Sequence, residues 1–156
     1  MTPEEAISIL DKNIAYIKSQ INSVSYNNGE QIEERGRHLK ILAINALQMI
    51  NCRKHTLQAI ENISFYSYFS NHLLYQIYTA HDIEEDLQKC FRNGINAIIE
   101  ILQQEREHFI RIKQDHEKQK ESAIQKRNNR IQTWTLITSI IAIILSAISL
   151  GFTIFS

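Results

Sequence analysis

The 156-residue chain carries 17 basic and 17 acidic side chains, so its net charge gives no argument for a nucleic-acid-binding protein. Its length suits one compact domain with an appendage, and all charges lie before Gln132, which leaves an apolar end. Cys52 and Cys90 lack metal-ligand spacing, which predicts reduced, buried thiols in a cytosolic domain. No basic segment followed by an apolar core opens the sequence, so a signal peptide is not expected.

The first predicted element is a helix that begins near the start of the sequence. Proline occurs once and glycine four times, which favours long helices joined by short turns. Thr2 is expected to cap the helix, Pro3 suits its first position, and Glu4 and Glu5 favour its positive end. Apolar residues then alternate at spacings of three and four, as in the seam of a helix bundle: Ile7, Leu10, Ile14, Ile17, Ile21 and Val24.

A second helix and an aromatic segment are predicted next. Asn27-Asn28-Gly29 is typical of a turn. The following helix is expected from about Glu30 to Asn62, with an apolar middle (39–50) that suits the centre of a bundle. The segment 64–71 is rich in aromatic and serine residues and predicts a bend, followed by a short third helix over 72–80. Its rings are expected to fill the bundle, with an exposed aromatic docking surface as the alternative.

The last helix is predicted to begin at His81, where Asp82 and Glu85 have the spacing of a capping box. Its apolar stripe passes Gly94, and residues 103–132 are then much more polar, which predicts a solvated helical stalk with a basic end. The expected buried stripe consists of Ile83, Leu87, Phe91, Ile95, Ile98 and Leu102.

A membrane-spanning helix is predicted after the stalk. The uncharged run from Trp134 to Phe155 has about 22 residues, which span about 33 Å as an α-helix against about 30 Å of hydrocarbon. A domain this small could hardly enclose a helix that is apolar all round. Lys126, Arg127, Arg130 and the aromatic Trp134 are expected at the membrane interface, with the bundle in the cytoplasm. Their position favours anionic lipid over RNA as their partner.

Fold class and domain organisation follow from these elements. We expect an all-α protein, roughly a four-helix bundle (1–102), whose long last helix continues through the stalk (103–132) into a single C-terminal transmembrane helix (133–156). Such a chain would be a single-pass, tail-anchored protein of the inner (cytoplasmic) membrane.

The apolar run contains small residues that recur on one face at spacings of four and three. Small residues let helix backbones approach closely, so this small-residue stripe predicts left-handed self-association and a homo-oligomer. An inert single anchor and a ring around a water-filled lumen are the alternatives. The small-residue stripe consists of Thr135, Ser139, Ala142, Ser146, Ser149 and Thr153.

Arg111 and His116 form the one candidate catalytic pair, because they have the R-x4-H form of HEPN ribonucleases. In that chemistry the arginine stabilises a developing phosphorane, and the histidine is the acid or base in attack by the 2′-hydroxyl. Two ordinary solvent-facing residues are the alternative. Glu105 and His108 have the Glu-x-x-His spacing of di-iron sites, but no second copy exists. Without other catalytic motifs, no enzyme activity, cofactor or metal is expected.

The short helical domain, the R-x4-H motif at Arg111 and His116 and the single membrane span together resemble the accessory membrane protein of type VI CRISPR loci. The resemblance covers architecture and these two residues. It implies a HEPN-like fold and a role in membrane pores that reinforce RNA-triggered antiviral defence.

The leading functional interpretation is a non-enzymatic, tail-anchored protein that self-assembles through its transmembrane helix, with pore formation as the implied activity. One alternative is a membrane-tethered HEPN-like ribonuclease that uses Arg111 and His116 on RNA. The other is an adaptor that holds a protein partner at the membrane through its helical domain.

Overall fold

The computed structural model describes residues 1–22, 29–65 and 80–155, and gives the side chains of these residues except 22, 29–30, 80–81 and 147–155. Every regular element in these ranges is helical. The elements are α1 (Pro3–Ser19), a 3₁₀ turn (Gln20–Asn22), α2 (Gly29–Met49), α3 (Lys54–Glu61) and α4 (Ala80–Phe155). The prediction of an all-α bundle with four helices and a long last helix is confirmed.

The chain divides into two compact units, Met1–Lys113 and Gln114–Ser156. The first unit contains α1 to α3 and the first part of α4, and α2 contacts both α1 and α3, in line with its predicted central position. All six residues of the predicted α4 stripe are buried, at 7% exposure or less. The largest fully buried side chains outside α1 are Phe91, Ile32, Leu39, Leu47, Ile60, Leu87, Ile95, Ile98 and Leu102.

The start of α1 is confirmed as predicted from the sequence. The backbone N–H of Glu5 donates to Thr2 Oγ1 at 3.2 Å, and that of Thr2 donates to Glu5 Oε2 at 2.8 Å. This reciprocal pair is a capping box, with Pro3 in the first helical turn. The buried face of the helix differs from the predicted seam at its start, where Ala6 is fully buried and Ile7 is only partly buried. Val24 lies outside the described residues. The buried face of α1 is Ala6, Leu10, Ile14 and Ile17.

The predicted second helix over 30–62 is wrong as one element, because α2 ends at Met49 and α3 begins only at Lys54. Asn51 has a φ of 53°, in the left-handed region. Its N–H donates to Gln48 O at 3.0 Å, and the N–H of Cys52 donates to Leu47 O at 3.0 Å. These two bonds form a Schellman motif, which ends α2 and turns the chain. Gly29, expected in a turn, is the first residue of α2; residues 27 and 28 lie outside the described part.

Lys40 of α2 holds the end of α3. Its Nζ donates to Glu61 O at 2.7 Å and to Ile63 O at 2.8 Å. Both carbonyls lie at the C-terminal end of α3, where the helix dipole favours a cation. A single ammonium group therefore joins α2 to the last turn of α3.

The ring of Phe65 packs between two helical glycines. A Cβ added at Gly36 of α2 would lie within 2.7 Å of three atoms of the Phe65 ring, which is closer than van der Waals contact allows. A Cβ added at Gly94 of α4 would have three ring carbons within 2.8 Å. The ring is 6% exposed and lies 5.8 Å from that of Phe91. Phe65 fits between the helices only because Gly36 and Gly94 have no side chain. It fills the core, as predicted for this aromatic segment.

The remainder of the predicted aromatic segment and the third helix, residues 66–79, lie outside the described residues. The last helix begins at Ala80, so Asp82 lies within its first turn and is not the N-cap expected from the sequence. Among the residues that the structure describes, no helix is both long enough and apolar enough to span a membrane.

Candidate functional site

The candidate site lies in the second unit, on α4. Between Trp134 and Ser146 the large apolar side chains are exposed, from 40% at Ile137 to 68% at Ile143. They occupy eight of the 13 positions from Trp134 to Ser146 and cover about 200° of the helix surface, and small residues cover the rest. We call the described part of this run, residues 134–146, the apolar segment. Its exposed large residues are Trp134, Leu136, Ile137, Ile140, Ile141, Ile143, Ile144 and Leu145.

The hydroxyl groups of the apolar segment bond to their own helix. Thr135 Oγ1 donates to Ile131 O at 3.0 Å, and Ser139 Oγ donates to Thr135 O at 2.9 Å. Ser146 Oγ donates to Ala142 O at 2.9 Å in the same way. Each hydroxyl proton is therefore satisfied without a partner molecule, which lowers the cost of placing these residues in an apolar medium.

The described members of the small-residue stripe are all exposed: Thr135, Ser139, Ala142 and Ser146. The side chains of Ser149 and Thr153 lie outside the described part of the structure. Since the hydroxyl protons of Thr135, Ser139 and Ser146 are already bonded, a contact made by these described members depends on their small size, with hydroxyl oxygens available as acceptors.

A basic face precedes the apolar segment. It consists of Lys126, Arg127, Arg130 and Trp134, all of which are exposed. None of the three cations is in an ion pair with any described residue. Their positive charge is therefore uncompensated within this part of the structure.

Arg111 and His116, the candidate catalytic pair, belong to different units. Arg111 lies in the first unit, where its Nη2 is 3.9 Å from Glu107 Oε2 in an (i, i+4) ion pair. Its side chain is 76% exposed, so the pair is an ordinary surface contact of a helix. His116 lies in the second unit and is exposed.

Glu105 is a buried acid that the sequence did not identify as such. It is 3% exposed, and its Oε1 accepts from Thr56 Oγ1 at 2.6 Å and from Arg53 Nη2 at 3.3 Å. Thr56 and Arg53 lie at the start of α3, where the helix dipole favours a carboxylate. The sequence does contain a signal for this burial, because Glu105 follows Leu102 at the next position of the apolar stripe. Among the described residues no three His, Cys, Asp or Glu side chains are grouped to hold a metal.

Both cysteines are free thiols, as predicted, but they are only partly buried. Burial raises the pKa of Cys52, and the nearby Glu105 carboxylate acts in the same direction. Burial also raises the pKa of Cys90, with a further contribution from Asp86. A raised pKa lowers the thiolate fraction, so neither residue has the environment of a nucleophilic cysteine.

Two ion pairs join α1 to the first part of α4. Arg106 pairs with Asp11 at 2.5 Å and Lys113 with Glu4 at 3.5 Å. The later α4 residue meets the earlier α1 residue, so the two helices run antiparallel. A hydrogen bond from its own backbone N–H lowers the pKa of Glu4, and Lys113 lowers it further. These contacts explain why the first unit extends to Lys113.

Comparison with protein-family models, with curated proteins and with solved structures finds no match to this chain.

Proposed function

We propose that the protein is a membrane-anchored helical protein that self-assembles through the last part of α4. The observation that carries the proposal is that every residue of the apolar segment is exposed, with large apolar side chains over about 200° of the helix surface. Contiguous apolar surface of this kind is rarely left in water by a soluble monomer and marks contact with a membrane or with other chains.

The sequence supports a lipid environment for this segment. Its uncharged run continues to Phe155, beyond the last side chain that the structure describes, and reaches about 22 residues in total. Exposed apolar residues gain free energy on transfer to hydrocarbon at about 25 cal/mol per Å². The internally bonded hydroxyls of Thr135, Ser139 and Ser146 reduce the opposing cost. The basic residues before the segment favour a cytoplasmic location for the bundle.

Self-association is the second part of the proposal and is assigned to the small-residue stripe. In a bilayer, helices associate through close packing and through hydrogen bonds between them, and small residues allow the closest approach. Because the hydroxyl protons of Thr135, Ser139 and Ser146 are bonded within the helix, a dry contact between these parts of identical stripes needs no bond to be broken. Conduction through such an assembly, and a role in antiviral defence, rest on the resemblance to the accessory membrane protein of type VI CRISPR loci.

The experiment compares the oligomeric state of the full-length protein with that of two double variants in a mild detergent and in lipid nanodiscs. Ser139→Leu with Ser146→Leu places bulk on the stripe. Thr133→Leu with Ile137→Phe is the matched control, because it adds bulk at two positions of the same helix that lie about 160° from the centre of the stripe.

We expect oligomers for the wild type and the control and a shift towards monomers for the stripe variant, measured by crosslinking and mass photometry. A wild-type protein that is monomeric in both media, or a stripe variant as oligomeric as the control, would refute self-assembly through this face. Membrane anchoring is tested separately by carbonate extraction of membranes: release of the wild-type protein into the soluble fraction contradicts it.

A further inference from the structure

The residues of the basic face are gathered on one side of α4. At 100° per residue, Lys126, Arg127, Arg130 and Trp134 lie within about 100° of arc around α4 and within about 12 Å along it. The side chains are exposed, and Trp134 is 59% exposed. Three cations are thus gathered within about one helical turn, with an indole ring one turn further towards the apolar segment.

No acid neutralises this group of cations. The last acidic residue of the sequence is Glu121, which precedes Lys126 by about 7.5 Å of helix rise. That distance is about one Debye length at physiological ionic strength, so screening weakens the attraction of Glu121 for the basic face, and Glu121 lies on the opposite side of the helix. Arginine guanidinium groups bind phosphate oxygens in pairs, and here two of them, Arg127 and Arg130, are neighbours on the helix surface.

We propose that the basic face binds the phosphate of an anionic phospholipid. Arg127 and Arg130 donate to the phosphate oxygens, Lys126 adds positive charge, and the ring of Trp134 packs where the glycerol backbone meets the acyl chains. The inference rests on the proposed membrane function, since it requires Trp134 to lie at the membrane interface.

Two features identify the ligand as an anionic lipid. A zwitterionic headgroup carries its own cation beside the phosphate, whereas three uncompensated cations favour a net negative headgroup. Nucleic acid would also satisfy the cations, but it would leave Trp134 and the adjoining apolar segment without an apolar partner. A phospholipid supplies phosphate and hydrocarbon in the order in which the helix presents arginine and apolar residues.

The single tryptophan of the chain provides a direct readout, because Trp134 belongs to the proposed site. The full-length protein is reconstituted in vesicles of unlabelled phosphatidylcholine. These contain the same mole fraction of either brominated phosphatidylglycerol or brominated phosphatidylcholine, and each quenches tryptophan fluorescence only at contact. The ratio of the two quenching curves gives the relative association constant of the anionic lipid at Trp134.

We expect phosphatidylglycerol to be preferred, and Arg127→Asn with Arg130→Asn to remove most of the preference. Each cation near an anionic surface contributes about a fivefold preference, so the loss should reach about 25-fold. The chain offers a matched control at Asn128 and Asn129, which lie on the other side of the helix. Adding Asn128→Arg and Asn129→Arg to the double variant restores the composition and the net charge but not the basic face.

If the control variant stays as unselective as the double variant, the one-sided site is supported. Full recovery of the preference by the control would refute it, because charge anywhere around the helix would then suffice. Equal quenching by the two brominated lipids in the wild type would also overturn the inference while leaving the membrane proposal intact. Absence of quenching by either lipid would instead refute the membrane proposal. Loss of the preference on addition of an RNA oligomer, but not of inorganic phosphate, would reassign the basic face to nucleic acid.

Discussion

Replacing Gly94 by alanine is expected to destabilise the first unit, although alanine is the better helix former. In an exposed helix this change gains about 1 kcal/mol. At Gly94 the added Cβ would have three carbons of the Phe65 ring within 2.8 Å, where an ordinary contact is about 3.5–4.0 Å. The ring must therefore move by about 1 Å, yet Gly36 closes its other side.

The magnitude follows from these opposing effects. Overpacking of a core costs about 1–3 kcal/mol, and a ring held on both faces places Gly94 near the upper value. Subtracting the propensity gain leaves a net loss of about 2 kcal/mol in the free energy of unfolding. Phe65→Ala costs about 3–5 kcal/mol by itself, but it removes the obstruction. In that background Gly94→Ala should become stabilising by about 1 kcal/mol, which gives a coupling energy of about 3 kcal/mol.

The assay is amide hydrogen exchange of the full-length protein in detergent. Protection of the slowest amides of α2 is converted to an opening free energy for each member of the double-mutant cycle. Asn93→Ala is the control, because Asn93 is exposed on the same helix and its replacement should gain about 0.5 kcal/mol. The reasoning would be refuted if Gly94→Ala increased protection as the control does, or if its effect were the same with and without Phe65.

Four further outcomes are expected. Asn51→Gly should raise the free energy of unfolding by about 0.5–1 kcal/mol, since glycine adopts the left-handed conformation freely. Asn51→Ala should lower it, and equal effects of the two substitutions would contradict the assignment of Asn51 to the helix cap. Lys40→Met should cost about 1–2 kcal/mol by freeing the carbonyls at the end of α3. Hydrogen exchange of α3 measures this loss, and unchanged protection of α3 would contradict the role given to Lys40. Because burial raises the pKa of Cys52, its alkylation by iodoacetamide at a pH of about 8 should be slower than that of glutathione; a faster reaction would reject this environment. His116→Ala should leave membrane association and oligomeric state unchanged, whereas loss of a wild-type RNA-cleaving activity would support the ribonuclease interpretation.

The elements predicted most accurately are those whose signals are local and repeated. The capping box of α1 depends on Thr2 and Glu5 alone, and the stripe of α4 from Ile83 to Leu102 repeats over several turns. The break between α2 and α3 has no such signal. It depends on a single left-handed asparagine, Asn51, without glycine or proline nearby.

Other features depend on residues that are distant in the sequence. Glu105 ends the apolar stripe as a polar residue, and its burial becomes intelligible only with Thr56 and Arg53 beside it. Gly94 interrupts a helix at an apparent cost, and its purpose is visible only once Phe65 is in place. In the candidate site, charge and small-residue spacing are readable from the sequence, whereas the bonding of the hydroxyls to their own helix requires the structure.

The packing of Phe65 between two glycines also bears on how quickly the protein folds. Each helix can form early from local contacts, but Phe65 can settle only when α2 and α4 have come together around it. That step closes two long loops of chain, one on each side of Phe65, and so meets an entropic barrier that the helices do not. We therefore expect fast helix formation followed by a slower final step, with Phe65 substitutions accelerating unfolding more than they slow folding.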